Sequence, residues 1–266
     1  MPFELYSLRP REPRHPLLCS RYFTRWLCFP DAMHMVDCKG VAALVYGGIL
    51  ATLLKLRCLG RNKQDRLRAI NQRRQEWYAG RAGGGNPMPT ILMSSLTSNG
   101  WGDLSGPAIK AAMTRDAAPF FEHISEEYLR DGDEQHHLAY TAASRLADYY
   151  RLIQDGSRFL TDEQIRRLRT IILEFGDAYQ RLRSISRQRG ELLWPVRPKV
   201  HKFMHIPQAC AVMNVRFLIC YLEESLIGTT TNVWKKTLSG RWKGVAQKHV
   251  LLKRLTGLLL RFEGAE

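Results

Sequence analysis

An uncharged run of about fifteen residues, from Gly40 to Leu54, constrains the fold of this chain most strongly. Lys39 and Lys55 bracket the run, and Gly47 and Gly48 lie near its middle. A helix that crosses a membrane needs about 20 consecutive apolar residues. The run is too short for that and long enough for the core of a folded domain. We therefore predict a buried core helix and no membrane span.

The charge balance of the chain points to its partners. The 266 residues are enough for one large domain or two small ones with a substantial core. Lys and Arg number 40 against 25 Asp and Glu, which gives a formal net charge of +15 and a pI near 9.8. Such an excess favours a polyanionic partner, nucleic acid first and an anionic membrane surface second. A basic surface that is merely solvated is the alternative.

The six cysteines indicate the compartment. They form no Cys-x-x-Cys pair and none of the spacings of a structural zinc site. Most stand among apolar residues, as free buried thiols do, which is typical of a reducing compartment. The first residues are rich in Pro and Arg and lack the apolar core of a signal peptide. We expect a nuclear or otherwise intracellular protein, and not a secreted one.

Residues Lys55 to Arg81 have the pattern of a basic amphipathic helix. They hold nine Lys or Arg against two acids, with Leu67, Ile70 and Trp77 as the apolar face. The Gly-rich stretch within 80–102 is predicted to be a linker, because it lacks the glycine spacing of a phosphate-binding loop. The nucleic-acid contacts predicted on this helix are Arg66, Arg73 and Arg74.

Helices are also predicted from Ser105 to Tyr150, with a turn at Asp131 to Asp133, and from Thr161 onward. Thr161 to Gln164 has the pattern of a capping box. An apolar stripe follows at three- and four-residue steps, and it packs on helices of the same chain or, as the alternative, on a partner helix. The stripe consists of Ile165, Leu168, Ile172, Phe175, Tyr179 and Leu182. The other side carries Arg166, Arg167, Arg169, Arg181, Arg183, Arg187 and Arg189, which suits phosphate contact or a solvated face.

Two short segments favour strands. Residues 22–30 are rich in aromatic side chains and end at Pro30, and residues 215–221 are similarly apolar. A helix is predicted from Leu222 to Thr237, with Glu223 and Glu224 in its first turn, where acids also complement the helix dipole.

Two polar motifs could carry chemistry. Asp31, His34 and Asp37 follow one another at three-residue intervals directly after the first predicted strand. Much later, His201 and His205 stand four residues apart in a helix predicted to begin at Pro198, so their imidazoles share one face. Such a pair can bind zinc, but no Glu completes a His-Glu-x-x-His arrangement, and packed, hydrogen-bonded histidines are favoured.

The last part of the chain has the composition of a nucleic-acid-binding segment. No acid occurs from Ser225 to Phe262, and Trp234 and Trp242 are interleaved with the basic residues. A long basic stretch with aromatic side chains suits a nucleic-acid backbone better than a solvated surface. The predicted contacts are Lys235, Lys236, Arg241, Lys243, Lys248, Lys253 and Arg254.

The order of these motifs resembles that of DDE-type cut-and-paste transposases, most closely the CACTA-like and related eukaryotic groups. The likeness covers roughly residues 22–262 and includes an Asp-x-x-His motif, a long helical stretch, a Pro-Lys-x-His segment and a helix that opens with Glu. It implies that Asp31 is the second metal-binding acid with His34 beside it. It also implies that Glu224 is the third acid, with Glu223 as its rival. Carboxylates in this chemistry hold two Mg²⁺ or Mn²⁺ ions for an in-line displacement at phosphorus.

The chain departs from that family in one respect. Residues 1–30 contain no Asp, so the first catalytic Asp has no counterpart. We therefore expect a truncated or decayed transposase-like protein that binds DNA and does not cut it alone. A non-enzymatic basic helical nucleic-acid-binding protein is the alternative, and a protein-interaction module built on the apolar stripe is a third possibility.

The predicted fold is mainly α with a few short strands, as a partial RNase H-like core with a large all-helical insertion. Its predicted parts are an irregular basic segment at 1–21, a strand and helix with Asp-x-x-His at 22–60, the helical insertion at 61–190 and a C-terminal part at 191–266. A sheet that lacks its first strands exposes an unpaired edge, so self-association is expected.

Overall fold

A computed structural model describes residues 31–80, 86–96 and 102–218, together with Thr231. Within these residues all regular structure is helical and no strand occurs, which confirms the mainly α prediction. The predicted strand at 22–30 lies outside the described residues. The residues up to Leu218 belong to one compact unit, and Ile219–Glu266 form a second, of which only Thr231 is described.

Eight α-helices make up the described part of the first unit. They are α1 (Val41–Leu53), α2 (Lys63–Ala79), α3 (Ala111–Asp116), α4 (Ala118–Leu129), α5 (Glu134–Asp155), α6 (Asp162–Gln188), α7 (Pro198–Phe203) and α8 (Ile206–Cys210). A π-helical turn, Met33–Asp37, precedes α1, and 3₁₀ turns occur at Arg57–Leu59, Met93–Ser95 and Val215–Leu218. The predicted turn at Asp131–Asp133 separates α4 from α5.

Helix α1 is the central element, because every residue in it except Ala51 is buried. It packs against α4 and α5, where the ring of Tyr46 stacks on that of Phe121 with the centroids 3.9 Å apart. The segment Met33–Leu53 is long and apolar enough to cross a membrane by length and composition, yet 83% of an 18-residue apolar window within it is buried inside the protein. The prediction of a core helix is confirmed.

Two glycines in α1 allow other segments to approach its backbone. A Cβ on Gly47 would lie 2.5 Å from the Cα of Asp103, and a Cβ on Gly48 would lie 2.7 Å from the ring of Trp194. Contacts this close leave no room for any side chain. The two glycines thus fix the segment 102–104 and Trp194 directly against the core helix.

Helices α5 and α6 form a long antiparallel pair. Their direction follows from two ion pairs, Glu134 with Arg181 and Arg145 with Glu174. The capping box at the start of α6 is confirmed, since the Thr161 hydroxyl accepts from the Gln164 N–H at 3.2 Å and the Gln164 side chain accepts from the Thr161 N–H at 2.9 Å.

The apolar stripe of α6 lies inside the protein. Its residues from Leu168 to Leu182 are buried, and the helix packs along α5. Packing within the same chain, the favoured alternative, is therefore confirmed. The stripe offers no free surface to a partner helix.

Helix α2 begins later than the predicted basic helix. Asn62 caps it by accepting a hydrogen bond from the N–H of Asp65 at 2.9 Å, so residues 55–62 lie outside the helix. Leu67 and Ile70 are buried as predicted, and half-buried Trp77 stacks on a histidine of α4.

The strand prediction at 215–221 is wrong over its described part. Val215–Leu218 is a 3₁₀ turn, and residues 219–221 lie outside the described residues. Asn214 causes the turn, because its side-chain oxygen accepts from the Arg216 N–H at 3.1 Å and its backbone carbonyl accepts from the Phe217 N–H at 3.0 Å. An Asn that bonds to its own backbone two residues on favours a turn over an extended strand.

Candidate functional site

The Asp-x-x-His motif lies on the π-helical turn that precedes α1. One carboxylate oxygen of Asp31 accepts a hydrogen bond from the Met33 N–H at 3.0 Å, and the other pairs with Nδ1 of His34. The side chains of His34 and Asp31 are 44% and 30% exposed, so both reach the surface. Turns of this rare type occur frequently at functional sites.

The Pro-Lys-x-His segment packs against the same turn, although the two are far apart in sequence. The ammonium group of Lys199 on α7 donates to the carbonyl oxygens of Cys38 at 2.8 Å and Lys39 at 3.3 Å. The first of these contacts joins residues 161 positions apart. Lys39 adopts a left-handed backbone conformation with φ of 48°, so Lys199 binds the carbonyls on either side of a bend.

Burial shapes the electrostatics of Lys199. Desolvation lowers the pKa of its ammonium group, and the nearby charge of Asp31 acts in the opposite direction. The hydrogen bonds of Lys199 to Cys38 and Lys39, and the packing of α7 on the π-helical turn, place Lys199 near the Asp-x-x-His motif. Together, Asp31, His34 and Lys199 form a polar cluster at one end of α1, which we call the α1 entry cluster.

Asp37, the third polar residue of the first motif, has a structural role. It is buried, and its carboxyl group accepts a hydrogen bond from the hydroxyl of Tyr150 on α5. Burial and the carboxyl of Asp37 raise the pKa of Tyr150 well above its ordinary value, so the phenol stays protonated as the donor. This contact fastens the π-helical turn to the core.

The described residues do not by themselves make the metal site that the resemblance implies. In the part of the chain that the structure describes, no three side chains of His, Cys, Asp or Glu come together to hold a cation. Asp31 supplies one carboxylate, whereas a two-metal centre needs several oxygen ligands. Glu223 and Glu224, which the prediction adds, lie outside the described residues.

The three arginines of α2 predicted to contact nucleic acid each contact other parts of the protein. Arg66 donates to the carbonyl of Leu54 at 2.7 Å, and Arg73 forms an ion pair with a glutamate of α4 at 3.0 Å. Arg74 is buried and donates to a carbonyl in the segment 86–96. The phosphate contact predicted for Arg74 does not agree with this placement, because its guanidinium is withdrawn from solvent. The predicted contacts from Lys235 to Arg254 lie outside the described residues.

The structure also contains a basic cleft that was not predicted as a site. It has a volume of about 430 Å³ and lies between the C-terminal part of α6 and the segment 191–197. Three arginines line it together with mainly apolar side chains: Arg183, Arg187, Arg197, Leu192, Leu193, Trp194, Pro195, Val196 and Glu191. We call it the arginine cleft.

The charges of the arginine cleft are unevenly satisfied. Arg197 forms an ion pair with Asp103 at 3.1 Å. Glu191 is the acid of the cleft and is paired with Lys55. Arg183 and Arg187 have no ion pair among the described residues. An anion entering the cleft therefore meets two guanidinium groups that are not already neutralised.

Trp194 forms the floor of the cleft. It is fully buried against Gly48, and its backbone has φ of 56°. Its indole N–H has no hydrogen-bond partner within the described ranges, although buried N–H groups ordinarily have one. The arginines of α6 were visible in the sequence, but only the fold brings them beside the segment that carries Trp194.

Comparison of the chain with protein-family profiles, with curated proteins and with solved structures found no match.

Proposed function

We propose that this chain is a DNA-binding protein derived from a DDE-type transposase, and that it does not cut DNA alone. The proposal rests on one observation: the Asp-x-x-His turn and the Pro-Lys-x-His helix pack against each other through Lys199. The transposases that the sequence resembles carry these motifs in the same order. Their contact here supports a common origin, with a partial RNase H-like core as its expected framework.

The α1 entry cluster would supply one part of a catalytic centre. Asp31 is the carboxylate that would hold a metal ion, and His34 and the Met33 N–H fix its orientation. Glu224, or Glu223 in the other register, would add the next oxygen ligand, and Mg²⁺ or Mn²⁺ would be the cation. Asp31 and one glutamate supply fewer oxygen ligands than a two-metal centre requires, so we propose that these residues alone do not support DNA cutting.

DNA binding is supported by the charge of the chain and by the arginine cleft. With a net charge of +15, the chain attracts polyanions over long range. Arg183 and Arg187 offer guanidinium groups that no described acid neutralises, which suits contact with successive phosphates.

The salt dependence of DNA binding tests this part of the proposal. Fluorescence anisotropy with a labelled duplex should show log K falling with log salt by about 0.9 for each phosphate contacted. The double variant Arg183→Gln, Arg187→Gln should reduce the steepness of this slope by about 1.8, which corresponds to the loss of two phosphate contacts. Arg166→Gln is the matched control, because Arg166 lies on the same helix and is already paired with Glu163. A flat salt response of the unmodified chain would refute DNA binding.

An experimental structure of the full chain with Mn²⁺ tests the ancestry separately. The carboxylates of Asp31 and Glu224, or Glu223, should approach within about 8 Å of each other, the range that bridging metals require. A larger separation would refute descent from a two-metal enzyme and leave DNA binding untouched.

A non-enzymatic basic nucleic-acid-binding protein is the second candidate. It is favoured by the arginine cleft, which lies apart in sequence from the Asp-x-x-His motif and needs no metal. Only the transposase proposal requires Asp31 and Glu224 to converge. The interaction-module hypothesis has lost its basis, since the apolar stripe of α6 is buried.

A further inference from the structure

Two histidines near the end of α7 stand at the spacing of metal ligands. His201 is in the last turn of α7 and His205 directly precedes α8, and their Nε2 atoms are 3.3 Å apart. Zinc–imidazole bonds of about 2.0–2.1 Å in tetrahedral geometry place two coordinated nitrogens about 3.3–3.4 Å apart. The two nitrogens therefore need no large movement to share one ion.

The two rings are arranged edge to face and are not stacked. Their planes are inclined by 78° and their centroids are 4.8 Å apart, and the Nε2 atoms lie within hydrogen-bond distance of each other. The same spacing permits an N–H···N hydrogen bond in the absence of metal. A cation would replace the shared proton.

The backbone that carries the two histidines is held by the core. Phe203 and Ile206, on either side of the bend between α7 and α8, are fully buried. Pro198 and Pro207 fix the first turns of the two helices. A chelate on such a rigid element loses little conformational freedom when the ion binds.

We propose that His201 and His205 form a two-histidine chelate for Zn²⁺, with water in the remaining positions. This site is independent of the proposed Mg²⁺ or Mn²⁺ centre, since it uses nitrogen ligands, which suit zinc better than magnesium. Its success or failure leaves the DNA-binding proposal unaffected.

Zinc titration of the full chain against a chromophoric chelator tests the proposal. The unmodified chain should bind Zn²⁺, and the double variant His201→Gln, His205→Gln should bind it at least about tenfold more weakly. The matched control is His123→Gln with His136→Gln, two histidines on different helices that do not face each other. Equal affinity of the double variant and the unmodified chain, or an equal loss in the control, would overturn the chelate.

Cobalt substitution separates histidine from cysteine ligation. Co²⁺ bound to the two imidazoles and water should give visible d–d bands without a thiolate-to-cobalt charge-transfer band. A thiolate band that persists unchanged in the double variant would assign the ion to cysteines and overturn the proposal. Far-UV circular dichroism checks that the variants fold. If the double variant does not fold, the single variant His201→Gln replaces it, because the His201 side chain is exposed.

Discussion

Replacing Gly47 with Ala should destabilise the protein, although alanine favours helices. The new Cβ would lie 2.5 Å from the Cα of Asp103, whereas ordinary carbon contacts are about 3.5–4.0 Å. The segment 102–104 must therefore move by about 1 Å, and overpacking of this kind costs about 1–3 kcal/mol. The gain in helix propensity returns only about 0.5–1 kcal/mol. The difference lies between about 0 and 2.5 kcal/mol, and we expect a net loss of about 1–2 kcal/mol in the free energy of unfolding because the contacted atoms belong to the backbone and cannot rotate away.

Urea denaturation followed by circular dichroism measures this loss directly. For a domain of this size the melting temperature should fall by about 2–8 °C. Gly80→Ala is the control, because its Cβ would meet only two carbonyl oxygens at ordinary distances of 3.5 and 4.0 Å, and it should be neutral or slightly stabilising. The reasoning is refuted if Gly47→Ala unfolds at the same urea concentration as the unmodified chain, or at a higher one.

Two further changes test the core and the histidine pair. Tyr150→Phe removes the hydroxyl that donates to buried Asp37, and it should lower the free energy of unfolding by about 1–3 kcal/mol, while Tyr140→Phe on the same helix should have little effect. Equal urea midpoints for the two variants would contradict this role. The pKa of His205 is lower in the folded protein than in the unfolded chain, so the unfolded chain binds a proton at this imidazole more readily. The free energy of unfolding is therefore highest above the ordinary histidine pKa of about 6.5 and decreases as the pH falls below it. His205→Gln should weaken that acid dependence in urea midpoints measured with a chelator from pH 7.5 to 5, and an unchanged dependence would count against it.

The helices that the sequence predicted correctly depend on local signals. The capping box at Thr161 and the apolar stripe after it lie within one helix, so nearby residues suffice to define them. The burial of α1 follows from its lack of charge over a whole helix. The strand prediction at 215–221 failed because it relied on apolar composition. The turn is caused by the preceding residue, Asn214, whose side chain bonds to the backbone and bends it.

The candidate site was less accessible to sequence reasoning. The pairing of Asp31 with His34 joins neighbours three positions apart, and spacing alone could suggest it. The fates of Arg66 and Arg74 depend on carbonyls supplied by other segments, which a charge pattern cannot reveal. The arginine cleft likewise exists only because the segment 191–197 lies beside α6.

During synthesis, α1 leaves the ribosome well before the helices that bury it. Helices α4, α5 and α7 all follow it in the chain, and about 150 residues separate Leu53 from the end of α7. At about 5–20 residues per second this interval lasts roughly 8–30 s. Until α4 and α5 emerge, partway through this interval, the nascent chain exposes a segment with the length and apolarity of a membrane span. During that time α1 is open to contact with a chaperone or with the membrane-targeting machinery before the later helices of its own chain bury it.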